Sequence, residues 1–385
     1  MKIVYRVISY ILVAALAAGA ALYFAPAPEV VTEESKLDQL SGIIEEMFIG
    51  EADKTAYEDA AAAAMVDALG DEWSYYIPAN EYQNHLEISN NFYVGIGISI
   101  QAREDKAGFD VVQVNEGGSA ESAGMLPGDV IVGIDGQSTV GMTTGAAQEL
   151  VLGEENTTVS ITVLRGAEKL TLEILRKQVP TTVAVGQMLE GNIGLVSIFN
   201  FGERCFDESK AVIDQLLQDG ATALIFDVRY NPGGLKSEQV KLLDYLLPEG
   251  DLFHGEDYTG RVIVEKSDSN YLDVPMAVLV NGYSYSAAEY FAAVLSEYDA
   301  AVLVGQQTYG KGYFQYTITL KDGSAVLLSS GRYTTPNGVD LTGVGITPDI
   351  VVEVDEETDF AIYARILDPA DDPQIQAAVA ALKAN

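Results

Sequence analysis

The apolar residues of the chain change their spacing four times, and each change predicts a different kind of structure. From Val7 to Ala25 they are nearly continuous, about the length of a bilayer-crossing helix. From Lys36 to Phe48, Leu37, Leu40, Ile44, Met47 and Phe48 recur at helical spacing, and a second helix is expected over Tyr57 to Leu69. The aromatic turn Trp73 to Pro78 that follows is read as packing two elements together. Between Tyr93 and Lys177 the pattern becomes short alternating strands broken by glycine: 95–100, 109–114, 129–134 and 159–164, with a helix near 145–152. After Pro180, strands at 193–199, 222–228 and 276–280 alternate with helices, the first over 207–219, which predicts an α/β core. Helical spacing returns in the tail at 361–367 and 374–382.

Lys2 and Arg6 precede the first apolar run and Glu29, Glu33 and Glu34 follow it. That asymmetry keeps the N-terminus cytoplasmic and exports the rest, as a single-pass anchor or, in the alternative, a cleaved signal that releases a secreted protein. Composition then removes several classes of function. With 57 acids against 22 bases, a net charge of −35, the chain lacks the clustered cations that nucleic acid requires. One cysteine, Cys205, allows no intrachain disulfide and reads as a small buried hydrophobe. The two histidines, His85 and His254, sit in no catalytic or metal-binding pattern, and no metal or cofactor is implied.

Three stretches carry candidate chemistry. Leu224 to Leu235 is a buried strand running into Asn-Pro-Gly-Gly ahead of a helix, a turn that can present backbone N–H groups as an oxyanion hole. Ala277 to Glu289 places Ser286 where a strand meets a helix. There it is a capping-box residue with Glu289, or a nucleophile beside a helix N-terminus. Thr308 to Gln315, ahead of an alternating strand expected over 316–320, holds Lys311 between two glycines, where desolvation favours a neutral amine able to act as a base.

Two resemblances cover most of the chain. Tyr93-Val-Gly-Ile-Gly-Ile98 together with Gly118 to Ile131 resembles a PDZ domain, whose carboxylate-binding loop would be Gly95, Ile96, Gly97 and Ile98. Asp227 to Gly234, Ser284 to Glu289, Gly310 to Gln315, Arg332 to Gly338 and Gly345 to Ile350 together resemble the C-terminal processing peptidase, or tail-specific protease, family. The departures are Tyr230, Tyr283 and Tyr285, the last two read as narrowing the site's entrance. The resemblance implies an extracytoplasmic serine endopeptidase with a mixed α/β core and an inserted PDZ domain. Ser286 would be the nucleophile, with Ser284 its nearest rival, Lys311 the base and Gln315 the residue orienting it. Ala287 with Gly233 or Gly234 would supply the oxyanion donors. Substrates would be polypeptides with free, apolar C-termini, and the oligomeric state, a homo-oligomer included, stays open. The alternative is an inactive relative that only binds partners; a trypsin-like PDZ protease is excluded by the missing histidine and the order of elements. The expected division is 1–25 anchor, 26–35 linker, 36–92 helical part, 93–178 PDZ and 179–385 core.

Overall fold

The computed structural model describes residues 35–384, so the expected anchor over 1–25 and nearly all of the linker lie outside the described residues. Among the described residues no helix is long and apolar enough to cross a membrane. The chain divides into two compact units, up to Ala62 and from Ala63. In the first, α1 (Lys36–Met47) is capped by Ser35, whose side chain and Asp38 make a reciprocal capping box. Helix α2 (Lys54–Asp67) starts three residues before the expected Tyr57, because the Asp53 carboxylate accepts the Ala56 N–H at 3.1 Å.

The second unit takes in the end of α2, continues with β1 (Tyr75–Ile77) and α3 (Ala79–Ser89), and then enters the segment expected to be a PDZ domain. Strands β2 (Phe92–Gly95), β3 (Ile98–Ala102) and β4 (Phe109–Val114) are followed by the short α4 (Ser119–Ser122), then β5 (Val130–Ile134), β6 (Gln137–Ser138) and α5 (Thr144–Val151). Strands β7 (Thr158–Arg165), β8 (Glu168–Leu175) and β9 (Lys177–Pro180) complete it. The expected strand 95–100 is split in two because Gly97 turns through φ 75°, a conformation glycine adopts without steric cost. The order β3-β4-β5-β7-β8 encloses a core of Phe109, Ile131, Ile134, Ile161 and Ile174. The chain enters and leaves this domain through the antiparallel pair β2 and β9. Arg204 holds both crossings, its Nη2 donating to Asn91 O (3.0 Å) and Thr181 O (2.6 Å).

The core then runs through β10 (Ala184–Leu189), β11 (Ile193–Ile198), α6 (Cys205–Gln218), β12 (Ala223–Asp227), α7 (Lys236–Leu246), β13 (Gly250–Asp257), β14 (Val262–Ser267) and β15 (Met276–Val280). It continues with α8 (Ala287–Glu297), β16 (Ala301–Gly305), β17 (Tyr313–Thr319), β18 (Ala325–Thr334), β19 (Ile350–Val351), α9 (Glu356–Tyr363) and α10 (Pro373–Ala384). Its main sheet has the order β10-β11-β12-β15-β16-β19, parallel except for β10. Both faces are covered, which is why these strands read as unbroken apolar runs. Leu224 and Phe226 pack with Phe201, Phe291 and α8 on one face. Ile225 and Leu279 pack with Ile375 and Val379 of α10 on the other. Arg229 ties that helix down: its guanidinium donates to Asp227 Oδ1 (2.9 Å) and Gln374 Oε1 (2.8 Å) and pairs with Asp372 at 2.9 Å.

Of the second, antiparallel sheet, β1-β18-β13-β14 with β17 on β18, only the strand expected over 316–320 was foreseen, and it runs over Tyr313–Thr319. The tail helix α9 begins five residues before the expected 361, since the Asp355 side chain caps it through Thr358 N (2.8 Å).

Candidate active site

The site forms where β12 and β15, neighbours in the parallel sheet, reach their C-terminal ends, the usual crevice for ligands in such sheets. After β12, Tyr230 takes φ 59°, and Asn231 is fully buried. Asn231 Nδ2 donates to Ile198 O (2.8 Å) and its Oδ1 accepts the Gly233 N–H (2.9 Å). This fixes the turn and engages the Gly233 N–H, whereas Gly234 is exposed and lines the cavity beside Ser286. Gly233 is required for space as well as conformation. At φ 87°, a Cβ there would lie 2.8 Å from Ser286 Cβ, Ala287 N and Tyr285 O.

After β15, Ser284 and Ser286 have opposite fates. Ser284 is fully buried; its Oγ accepts Asn281 N–H (3.0 Å) and donates to Val228 O (2.7 Å), so it braces the loop. Ser286 stands at the N-terminus of α8 with φ 57° and ψ −125°, and its side chain makes no capping hydrogen bond. A non-glycine residue held there carries about 1–3 kcal/mol of backbone strain, which persists only where the surroundings enforce it. The capping-box reading of Ser286 and Glu289 is therefore overturned.

Glu289 turns instead to the lysine loop. Fully buried, it accepts the Thr308 hydroxyl and Gly310 N–H (2.8 Å) on Oε1 and Lys311 N–H (3.0 Å) on Oε2. Burial pushes its carboxyl above the usual range, opposed by those hydrogen bonds. One side chain on the serine's helix thus fixes the backbone of the lysine. No sequence rule exposed this role, because Ser-x-x-Glu also spells a helix cap.

The flanking glycines of Lys311 do what their pattern suggested. A Cβ at Gly310 would lie 2.8 Å from Val344 N, and one at Gly312 would fall 1.9 Å from Thr342 Oγ1. Burial lowers the Lys311 amine to about 8, against the opposing charges of Asp71 and Glu72. The amine rests 4.1 Å above the Trp73 ring, which packs on Tyr285 and Tyr309. The aromatic turn 73–78, read as pure packing, therefore faces the candidate base. Among the described residues no hydrogen bond joins Lys311 Nζ to Ser286 Oγ. Tyr333, buried next to Ser286 and also missed by the sequence reading, donates its hydroxyl to Lys311 O. Gln315 Nε2 goes to Tyr313 O (3.3 Å) and Ser329 Oγ (3.2 Å), so its amide nitrogen does not reach the lysine.

Beside Ser286, Gly234 and Ala287 lies a cavity of about 430 Å³, lined by Leu235, Phe253 and Phe314 and also by the charged Lys236, Arg261 and Glu265. Tyr283 and Tyr285 do not line it: Tyr283 stacks on Tyr230 at 5.1 Å, and Tyr285 packs against Trp73. In the PDZ domain a groove of about 290 Å³ runs between β3 and α5, lined by Ile96, Gly97 and Ile98 and by Gln148, Val151 and Leu152. Gly95 lies against the Tyr93 ring, where a Cβ would approach to 2.8 Å. His254 pairs with Asp251 (2.8 Å), His85 packs against Tyr82, and Cys205 is buried with its thiol pushed up to about 12. No cluster of three metal-ligating side chains occurs among the described residues.

Residues 192–352 match the model of peptidase family S41, and residues 111–165 that of the PDZ domain. A probable CtpA-like serine protease of Staphylococcus aureus (strain N315) is 31% identical over 323 residues, covering 83% of this chain and 64% of that protein. The chain carries a peptidase S41 domain together with a PDZ domain. The S41 match contains all three chemical stretches, and the PDZ match falls within the inserted strands. A probable CtpA-like serine protease of Staphylococcus haemolyticus (strain JCSC1435) is also 31% identical, over 76% of this chain and 59% of that protein. The chain thus spans under two thirds of the length of these curated relatives. Among solved structures, a photosystem II D1 C-terminal processing protease aligns at 26% identity and TM-score 0.48, over 83% of this chain and 87% of that one.

Proposed function

We propose that this chain is a serine endopeptidase working through an acyl-enzyme, with Ser286 as nucleophile and Lys311 as base. The observation that carries the reading is the strained, uncapped Ser286 at the mouth of a cavity it shares with Gly234 and Ala287. The neutral amine takes the Ser286 Oγ proton as Oγ attacks a peptide carbonyl. Charge on the carbonyl oxygen is received by the N–H groups of Ala287 and Gly234, since Asn231 already occupies that of Gly233. The tetrahedral intermediate expels the amine fragment, which takes the proton back from the lysine. Water, deprotonated by the same amine, then hydrolyses the ester. To act, Lys311 Nζ leaves the Trp73 face and reaches Ser286, a side-chain rotation that leaves the loop fixed by Glu289. Gln315 in its present contacts supports the cavity wall; orientation of the amine falls to Trp73 and the Glu289-held backbone.

The PDZ groove is proposed to take the substrate's C-terminal carboxylate at Ile96, Gly97 and Ile98, with an apolar last residue among the isoleucines. The apolar run Val7 to Ala25 is proposed to anchor the chain with its catalytic part outside the cytoplasm. Retention in membranes after carbonate washing tests this, and a mature form starting near residues 20–28 would refute it.

One observation favours a second reading, a PDZ-bearing binding protein without turnover: Ser286 and Lys311 share no hydrogen bond. Incubating an unstructured protein with wild type, Ser286→Ala and Lys311→Arg separates the two. The peptidase reading predicts cleavage by wild type alone, because a guanidinium cannot accept the proton. Absence of cleavage by wild type, or full activity in either variant, would refute it.

A further inference from the structure

The cavity beside Ser286 is lined by apolar side chains together with Lys236, Arg261, Glu265 and Gln315, and by one buried amide without a partner that acyl transfer does not use. Gln239, on α7, lines the cavity, is 2% exposed, and has no hydrogen-bond partner for Nε2. A buried amide nitrogen left unpaired is costly, and a leucine would serve the same helix position without that cost. Its neighbours are settled. Glu238 accepts from Phe206 N (3.0 Å) and Lys241 Nζ (2.6 Å), and Lys236 is paired with Glu265 on the cavity wall. Gln239 is thus an uncommitted polar group set among Leu235, Phe253, Ile263 and Phe314, which also line the space.

We propose that Gln239 is a specificity-determining residue that selects a glutamine-type side chain immediately N-terminal to the scissile bond, the P1 position. The proposal rests on the reading of the cavity as the pocket that receives P1 in an acyl-transfer site. The methylenes of such a side chain pack in the apolar sleeve, and its terminal amide meets the amide of Gln239. An amide carries both donors and an acceptor, so it pairs with Gln239 whichever way that group is turned. A carboxylate at P1 lacks the donor that an amide brings, and an aliphatic side chain leaves Nε2 unpaired. Sites built around a buried polar group reject ligands that cannot pair with it far more strongly than apolar pockets discriminate by size.

The test uses internally quenched peptides that differ only at P1, as Gln, Glu, Leu or Ala, with the full chain as wild type, Gln239→Leu and Gln239→Met. Wild type should show kcat/KM for Gln over Leu of at least about tenfold, and both variants should reverse the preference. A Gln-to-Leu ratio unchanged by either variant, with cleavage intact, overturns this inference and leaves the peptidase reading standing. If wild type cleaves none of the peptides, the peptidase reading fails, and binding decides the proposal about Gln239. C-terminally amidated P1-Gln and P1-Leu peptides are then titrated calorimetrically onto Ser286→Ala with and without Gln239→Leu. Loss of about tenfold in affinity for the Gln peptide alone supports the pairing, and equal affinities overturn it.

Discussion

Replacing Lys311 with methionine exchanges a buried ammonium for an apolar chain of similar length, and it should stabilise the fold while abolishing catalysis. Burial holds the amine at about 8 against its ordinary 10.5, a displacement worth about 3 kcal/mol at roughly 1.4 kcal/mol per pH unit. Below about pH 8 the folded and unfolded states both carry the proton, so the charged lysine opposes folding by that full amount. Between 8 and 10.5 only the unfolded chain keeps the proton, and stability rises with pH; above 10.5 the penalty is gone. The Trp73 face beneath the amine returns about 1 kcal/mol. Lys311→Met should therefore gain about 2 kcal/mol at pH 7, and the gain should fade to nothing by about pH 10.5. Urea denaturation at a series of pH values measures this, followed by the fluorescence of Trp73, the single tryptophan of the chain. A variant no more stable than wild type at pH 7, or a gain independent of pH, would refute the claim that the fold holds a desolvated amine there.

Three further outcomes follow from the geometry. Gly233→Ala forces a Cβ to 2.8 Å from Ser286 Cβ and Ala287 N at φ 87°, so turnover should fall at least about 100-fold, measured beside circular dichroism to verify the fold. Glu289→Gln leaves one acceptor oxygen where two served three donors; a loss of about 1–3 kcal/mol in denaturation, with a lower rate, is expected, and an unchanged rate would deny it any hold on the lysine loop. Amidating a substrate's C-terminus removes the charge proposed for the PDZ groove and should raise KM more than it lowers kcat, whereas equal kinetics for acid and amide would exclude the groove as the reader.

The alternating core was legible because its strands are buried on both faces and therefore apolar throughout, as in Leu224 to Phe226 and Met276 to Val280. In the second sheet only β17 was expected, over 316–320; β14 was not, because its residues 262–267 do not alternate apolar with polar although their burial does. Ser286 and Lys311 were singled out by the joint resemblance of five motifs, and the structure surrounds them with backbone demands: φ 57° at the serine and near contact at Gly233, Gly310 and Gly312. Trp73 and Tyr333 lie far from Lys311 or Ser286 in sequence and meet them only in the fold, while Glu289 was read as the cap partner of Ser286 and not as the acceptor for the lysine loop. The pairing of Gln315 with Ser329 across β17 and β18 directs Nε2 to that hydroxyl.

The central claim, that a depressed lysine activates Ser286, is tested most directly by the pH dependence of Ser286 labelling with a fluorophosphonate probe. The account predicts a single adduct on Ser286, forming at a rate that rises with pH through a midpoint near 8, and little labelling at any pH in Lys311→Arg. An adduct elsewhere, or a wild-type profile retained by Lys311→Arg, would contradict it.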